Sequence, residues 1–201
     1  LADWENPYIT MDFQYEADAI RALAVVAEKG YLQRGFKPVH WCCACGSALA
    51  EAEVEYADKT SPALDVAFHV VDEKDVAQRL SLGELTGPIV LPIWTTTPWT
   101  IPANQAVCMH PELNYVLVSV SLLGKPSLLV VAEALLESVL ARYELTEHEL
   151  LHTFEGAHLA GLELQHPLYD RTSPVIMGDH VTTDAGTGLV HTAPSHGVDD
   201  Y

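Results

Sequence analysis

Two hydrophobic rhythms divide the chain. From residue 11 to 32 the apolar residues Ala17, Ile20, Leu23, Ala24 and Ala27 recur at helical spacing, with Asp12 placed to cap the start and Gly30 to stop the end. This spacing predicts one amphipathic helix. Beyond a cysteine cluster at 42–45 the period drops to near two, in short runs at 52–56, 65–71, 89–95, 105–109, 115–120, 127–131 and 189–192. The runs are rich in Val, Ile, Leu and aromatic residues and are separated by Gly, Pro, Asn and Asp, which predicts strands. Segments 72–80 and 132–143 return to i, i+3, i+4 spacing and read as helices. Many short strands with a few helices imply an α+β fold organised as a closed or nearly closed barrel with helical decorations. No internal repeat or low-complexity tract interrupts the pattern.

Composition narrows the class. A chain of 201 residues, 49% hydrophobic with mean hydropathy near zero, can bury one substantial core and carry an appendage. No apolar run approaches the roughly 20 residues needed to span a bilayer, so no membrane partner is expected. The opening LADWENPYITMDF lacks a basic region followed by an apolar core and is not a secretory signal; without an initiator Met, it reads as the interior of a larger protein. Ten Lys plus Arg against 28 Asp plus Glu give a formal net charge of −18. That charge repels a polyanion over most of the surface and argues against a general nucleic-acid-binding domain.

Cys42, Cys43, Cys45 and Cys108 are too few and too clustered for a disulfide framework, which points to a reducing compartment. Cys42 and Cys45 form a C-x-x-C knuckle, half of a zinc ribbon by spacing. Structural zinc takes four ligands and the sequence has no second such pair, with His40 the nearest third donor, so reduced thiols are the default.

The richest chemistry lies between Trp94 and Asn104, where Thr95, Thr96 and Thr97 are followed by Pro98, Trp99 and Pro102. Each Thr is stiff at its first side-chain torsion and each Pro fixes a backbone angle, so the segment holds hydroxyls in set directions at little entropic cost. An edge strand entering a proline turn is the alternative that composition leaves open.

The string WTTTPWTIPAN resembles the threonine-rich peptide of the editing domain in the isoleucyl-tRNA synthetase family. GTGLVHTAPSHGVDDY, from Gly186 to Tyr201, resembles the other wall of the same pocket, and KPVHWCCACGSALAEAEVEY, from Lys37 to Tyr56, resembles the junction through which that domain is inserted, especially in bacterial members. The blocks stand in the family's order. In the sister valyl and leucyl families an arginine follows the threonines, whereas Pro98 does here, which points to the isoleucine branch.

The resemblance implies a β-barrel-like α+β editing domain over 51–201, a Cys-containing junction at 41–50, and a helical flank of the catalytic Rossmann-like domain over 1–40. The activity it implies is hydrolysis of mischarged Val-tRNA(Ile) in a cytoplasmic, monomeric enzyme. ATP and Mg would be used only by the parent protein, zinc would belong only to the full-length chain, and this segment would need no cofactor. The partners it implies are the tRNA(Ile) 3′ end and valine and isoleucine adducts.

Residue by residue, the match places Asp200 on the substrate's α-ammonium, where composition alone also permits an acidic helix start. It places His191 against the substrate side chain, although a lone His in a strand is ordinarily a satisfied core or rim residue. Asn104 would contact the substrate or terminal ribose, against the alternative of a turn after Pro102. Trp99 joins the substrate-binding set. Thr95, Thr96 and Thr97 would position the ester and a water, giving hydrolysis without a covalent intermediate; the sequence names no general base.

Two other classes compete. A metal-dependent hydrolase could be built from His191, His196, Asp199 and Asp200, although the H-x-x-x-x-H step matches no helical ligand pair. A folded but inert segment that binds the tRNA end is the other, since Asp200 stands next to the last residue.

Overall fold

The computed structural model describes residues 3–201. It divides into a first unit ending at Ala48 and a second, Leu49–Tyr201.

The first unit carries helix α1, Phe13–Glu28. Asp12 caps it, its Oδ1 accepting from the N–H groups of Gln14 at 2.9 Å and Tyr15 at 3.2 Å, and Gly30 ends it at φ +77°. None of the residues of α1 is buried; Ile20 and Leu23 of the expected apolar stripe are exposed, as are Val25 and Val26 beside it. A two-stranded hairpin follows, β1 (His40–Cys42) with β2 (Ser47–Leu49), turning through the cysteine cluster.

The second unit is built on a nine-stranded mixed sheet. Its strands are β3 (Leu64–Val70), β4 (Ile89–Thr95), β5 (Ala106–Met109), β6 (Asn114–Leu122), β7 (Lys125–Ala132), β8 (His148–Glu155), β9 (Glu163–Gln165), β10 (Thr172–Met177) and β11 (Val190–Thr192). The order across the sheet is β11-β5-β10-β9-β3-β4-β7-β6-β8. Helix α2 (Glu73–Arg79) links β3 to β4, and α3 (Leu136–Arg142) follows β7. The sheet curls until β11, at one end of that order, packs back against β4. This curl brings the two motif-bearing segments together.

The driving force lies in the strands that read as continuous apolar runs. Ile89, Leu91, Ile93, Leu117, Leu128 and Leu129 are at most 1% exposed, and each such side chain contributes about 1.5–3 kcal/mol of burial. Pro92 sits inside β4 because β4 pairs with β7 only at Ile89 and Val90; beyond that point its β7 side needs no backbone donor.

Segment 52–56 is not a strand. A short 3-10 turn, Glu51–Glu53, occupies its start, with the Glu53 carboxylate accepting from Ala50 N–H at 2.7 Å, and the alternation of Ala52, Val54 and Tyr56 has no partner strand to bury it. In 132–143 Ala132 remains in β7, and a 3-10 turn at Glu133–Leu135 precedes α3. Strands β8, β9 and β10 are additions to the expected set. β8 lies at the outer edge of the sheet with mostly exposed residues, β9 has only three residues, two of them polar, and β10 opens on Thr172-Ser173-Pro174 before its apolar half.

Candidate functional site

β4 runs out at Thr95, and the chain turns through the 3-10 segment Pro98–Ala103, which Pro98 opens. The buried Thr95 hydroxyl makes the turn by accepting the Thr97 N–H at 3.0 Å; it lies 3.3 Å from the Thr97 hydroxyl. Thr100 donates its backbone N–H and its hydroxyl to the Thr97 carbonyl, at 3.0 and 2.8 Å. Ser61 secures the Thr96 carbonyl at 2.6 Å. The side chains of Thr96 and Thr97 remain exposed.

The opposite wall begins at the turn Gly186-Thr187-Gly188. Gly186 and Gly188 lie in the left-handed region, at φ +85° and +75°. Three elements hold the three successive carbonyls: Arg142 donates to Gly186 O at 3.3 Å, Ala132 N–H to Thr187 O at 2.9 Å, and the Tyr115 hydroxyl to Gly188 O at 2.7 Å. Arg142 is itself fixed by a bidentate pair with Asp65 at 2.9 and 3.0 Å. Burial pushes the Tyr115 hydroxyl up to about 12, so it stays a donor. From this turn the chain enters β11, antiparallel to β5, with His191 opposite Val107.

His191 meets the threonine side directly. Its Nε2 lies 2.8 Å from the Thr100 hydroxyl, and its Nδ1 accepts from Asn104 Nδ2 at 2.8 Å. Burial lowers its proton affinity below the usual histidine value; Asp200 pulls it up, while His196 and His166 push it down. Asn104 is fully buried, its amide also donating to Ala106 O and accepting from the Ser173 hydroxyl, both at 2.7 Å. Arg171 donates to the Asn104 carbonyl.

Between the walls lies a cavity of about 230 Å³, bounded by Trp94, Thr95, Thr96, Thr97 and Thr100 on one side and Val190, His191, His196 and Asp200 on the other. Asp200 is the one carboxylate in this lining, which holds no Lys or Arg. Its Oδ2 accepts the Ala193 N–H at 2.8 Å. The segment around it is turn and bend rather than a helix start. A neutral imidazole, hydroxyls and one carboxylate suit a small cationic group carried beside a polar, hydrolysable carbonyl.

The sequence-selected residues thus separate into two groups. Thr95, Thr96, Thr97, His191, His196 and Asp200 converge on the cavity. Asn104 stands behind His191, 0% exposed and outside the cavity lining, with both amide hydrogens and Oδ1 bonded to protein. Trp99, 60% exposed, is outside the lining, and Asp199 is exposed as well. Thr100 lies within the quoted string but carried no signal of its own, and Ser173, Arg142, Arg171 and Tyr115 are joined to the site only by the fold.

The metal-hydrolase arrangement does not form. Both ring nitrogens of His191 lie 2.8 Å from protein partners, Asn104 and Thr100, and the described residues contain no group of three His, Cys, Asp or Glu side chains placed to hold an ion. In the hairpin, Cys42 Sγ accepts from Cys45 N–H at 3.3 Å, and the Cys45 side chain holds the Cys42 thiol below its ordinary value. That pair supplies two donors of the four that zinc takes.

Comparison with known proteins agrees with this picture. The family model of class I tRNA synthetases (I, L, M and V) matches residues 1–155. Over its whole length the chain is 56% identical to an isoleucine–tRNA ligase of Coxiella burnetii (strain Dugway 5J108-111), spanning 22% of that protein. It is 58% identical over 202 residues to one of Thioalkalivibrio sulfidiphilus (strain HL-EbGR7), spanning 21%. Among solved structures, 69% of the chain superposes on 63% of the P. falciparum cytosolic leucyl-tRNA synthetase editing domain, with TM-score 0.60 at 15% identity. The P. knowlesi cytosolic leucyl-tRNA synthetase editing domain gives TM-score 0.57 at 14% identity, over 65% of this chain and 56% of that one. At such identities these two establish the fold, that of a synthetase editing domain.

Proposed function

The chain belongs to the class I tRNA synthetases (I, L, M and V), and from that premise we propose that it is the editing portion of an isoleucine–tRNA ligase, hydrolysing valine from mischarged Val-tRNA(Ile). The observation that carries this reading is the convergence of the threonine peptide with His191 and Asp200 across one small cavity. Asp200 receives the α-ammonium on its free oxygen, Oδ1, since Oδ2 is occupied by the Ala193 N–H. The threonine hydroxyls and His191 bound the side-chain pocket, and Thr97, exposed to solvent, holds a water against the ester carbonyl carbon. Water adds to that carbon, the bond to the ribose oxygen breaks, and the proton lost by the water ends on that oxygen. The products are free valine and uncharged tRNA.

A second sieve of this kind answers a limit of physics. One methylene in an apolar pocket is worth only about 1–3 kcal/mol, a figure for which isoleucine against valine is itself the standard example, so a first site alone cannot reject valine. The whole protein, which this chain spans to about a fifth of its relatives' length, is proposed to ligate isoleucine to tRNA(Ile) with ATP and Mg in the cytoplasm. The deciding experiment follows deacylation of Val-tRNA(Ile) and Ile-tRNA(Ile) by this chain and by a longer one. Loss of valine with retention of isoleucine is expected; equal rates on both, or hydrolysis of neither by the longer chain, would refute the reading.

A further inference from the structure

Resting on that reading of the cavity, we infer that Asn104 is a positioning residue that locks His191 as the neutral Nε2–H tautomer, with Ser173 fixing the amide, so that the His191 ring adds no positive charge beside Asp200. The chain of donors leaves one solution. A carbonyl oxygen accepts and never donates, so the amide end that faces Ala106 O at 2.7 Å must be the NH2 group. Ser173, itself fully buried, then donates to the other end, Oδ1, at 2.7 Å. The second amide hydrogen then points at His191 Nδ1, 2.8 Å away, and that nitrogen must present a lone pair. The ring proton therefore sits on Nε2 and is donated to the Thr100 hydroxyl at 2.8 Å, whose own hydrogen goes to Thr97 O at 2.8 Å. The relay ends on the threonine peptide.

Protonating Nδ1 would set two N–H groups against each other with no water to relieve them, since Asn104 and Ser173 are both 0% exposed. The charged and titratable groups facing His191 are Asp200 and His196 from the segment after β11, and His166, which lies beyond β9. Of these only Asp200 favours an imidazolium, and Asn104 opposes it. The consequence for substrate is direct. An imidazolium would pair with the Asp200 carboxylate and compete with the ammonium, whereas a neutral ring leaves that carboxylate free. Both ring nitrogens being engaged also removes His191 as a general base, so the proton of the attacking water must leave by another route.

The test is nitrogen-15 NMR of the histidine-labelled chain without substrate. We expect the His191 ring to carry its proton on Nε2 at about pH 7 and to remain neutral at about pH 6.5, where an ordinary histidine is half protonated. A proton on Nδ1, or a ring half charged at that pH, would overturn the inference. Asn104→Asp replaces the donor facing Nδ1 by an anion, and a carboxylate at that distance raises a neighbouring cation's proton affinity by about 1–3 pH units. The acid limb of Val-tRNA(Ile) hydrolysis should move up by that amount, while an unchanged profile in a folded variant would refute the positioning role. If Asn104→Asp does not fold, the wild-type spectrum still decides. Because that spectrum needs no substrate, a neutral Nε2–H ring, found while the longer chain leaves Val-tRNA(Ile) intact, would sink the proposed function and not this inference.

Discussion

Replacing Gly188 by alanine separates two costs that the turn imposes. Gly188 lies at φ +75°, and a Cβ built there would come within 2.3 Å of the Ala132 Cβ. Left-handed backbone costs a non-glycine residue about 1–2 kcal/mol. Overpacking adds about 1–3 kcal/mol, and it cannot be relieved by a rotamer change because Ala132 has none. The Ala132 N–H is moreover tied to Thr187 O at 2.9 Å, so β7 and the turn cannot easily part. The sum, about 2–5 kcal/mol, corresponds to about 4–20 °C in the thermal midpoint of a chain this size. Gly186→Ala is the matched control: its φ is +85°, but its Cβ would meet Trp94 no closer than 3.4 Å, an ordinary contact. Only the backbone term of about 1–2 kcal/mol then applies. Thermal melts followed by far-ultraviolet circular dichroism should place Gly188→Ala below Gly186→Ala, with valyl-ester hydrolysis weaker in the former because the β11 wall has moved. Equal midpoints would show that the close approach of turn and β7 is not as described.

Four further outcomes are expected. Asp200→Ala removes the proposed partner of the ammonium, worth about 2–5 kcal/mol, so kcat/KM for Val-tRNA(Ile) should fall by about thirtyfold or more; a stable variant with full activity would end the anchoring role. Because only one hydrogen bond is lost with it, that from the buried Ala193 N–H, worth about 1–3 kcal/mol, the thermal midpoint of Asp200→Ala should drop by no more than about 12 °C. Thr97→Ala, and less so Thr96→Ala, should slow hydrolysis of the valyl ester or open the cavity to the isoleucyl ester, and unchanged rates for both would remove these hydroxyls from the mechanism. Arg142→Met leaves Asp65 without its bidentate partner and Gly186 O without a donor, so urea melts should show a loss of about 1–3 kcal/mol; a loss near zero would refute the clamp. Burial lowers the proton affinity of both His166 and His191 from 6.5, so the unfolded chain binds more protons below that pH. Stability is therefore fully present above pH 6.5 and is lost as the pH falls through the two folded values, and an unchanged urea midpoint between about pH 7 and 5.5 would contradict this.

Much of the second unit was legible because its central strands are buried on both faces and therefore read as unbroken Val, Ile and Leu runs. β4, β6 and β7 are such strands, and α2 was legible through its i, i+3, i+4 apolar spacing, with Asp72 capping it by accepting from Lys74 N–H. β8 escaped notice for the opposite reason. At the sheet edge its HELLHTFE sequence is half solvated and need not alternate cleanly. The false strand at 52–56 shows the same limit from the other side, since period two describes a strand only where a neighbour exists to pair with it. At the site, the two motifs lie in the sequence for anyone to read, but their wiring does not. Ser173 reaches Asn104 across 69 residues, a contact created by β5, β10 and β11 lying side by side. No local pattern encodes that adjacency, which is why the hydrogen bonds of Asn104 to His191 and Ser173 could not be read from the sequence.

The strong acidity of the chain fits the same architecture. All three arginines of the second unit are spent inside the fold: Arg79 on Asp75 and the Ala160 carbonyl, Arg142 on Asp65 and Gly186 O, and Arg171 on the carbonyls of Pro102 and Asn104. Two of them brace the cavity itself, Arg142 through the glycine turn and Arg171 through the backbone of Asn104. Guanidinium groups used this way cannot also grip phosphates, and a net charge of −18 repels them further. Under the proposed function, this unit therefore meets only the terminal, aminoacylated nucleotide, and the hold on the tRNA body falls to other parts of the enzyme. Such a division suits a second sieve: a site that binds the polyanion weakly discriminates by the size and charge of the amino acid alone, with Asp200 admitting the ammonium and the threonine and histidine walls limiting the side chain.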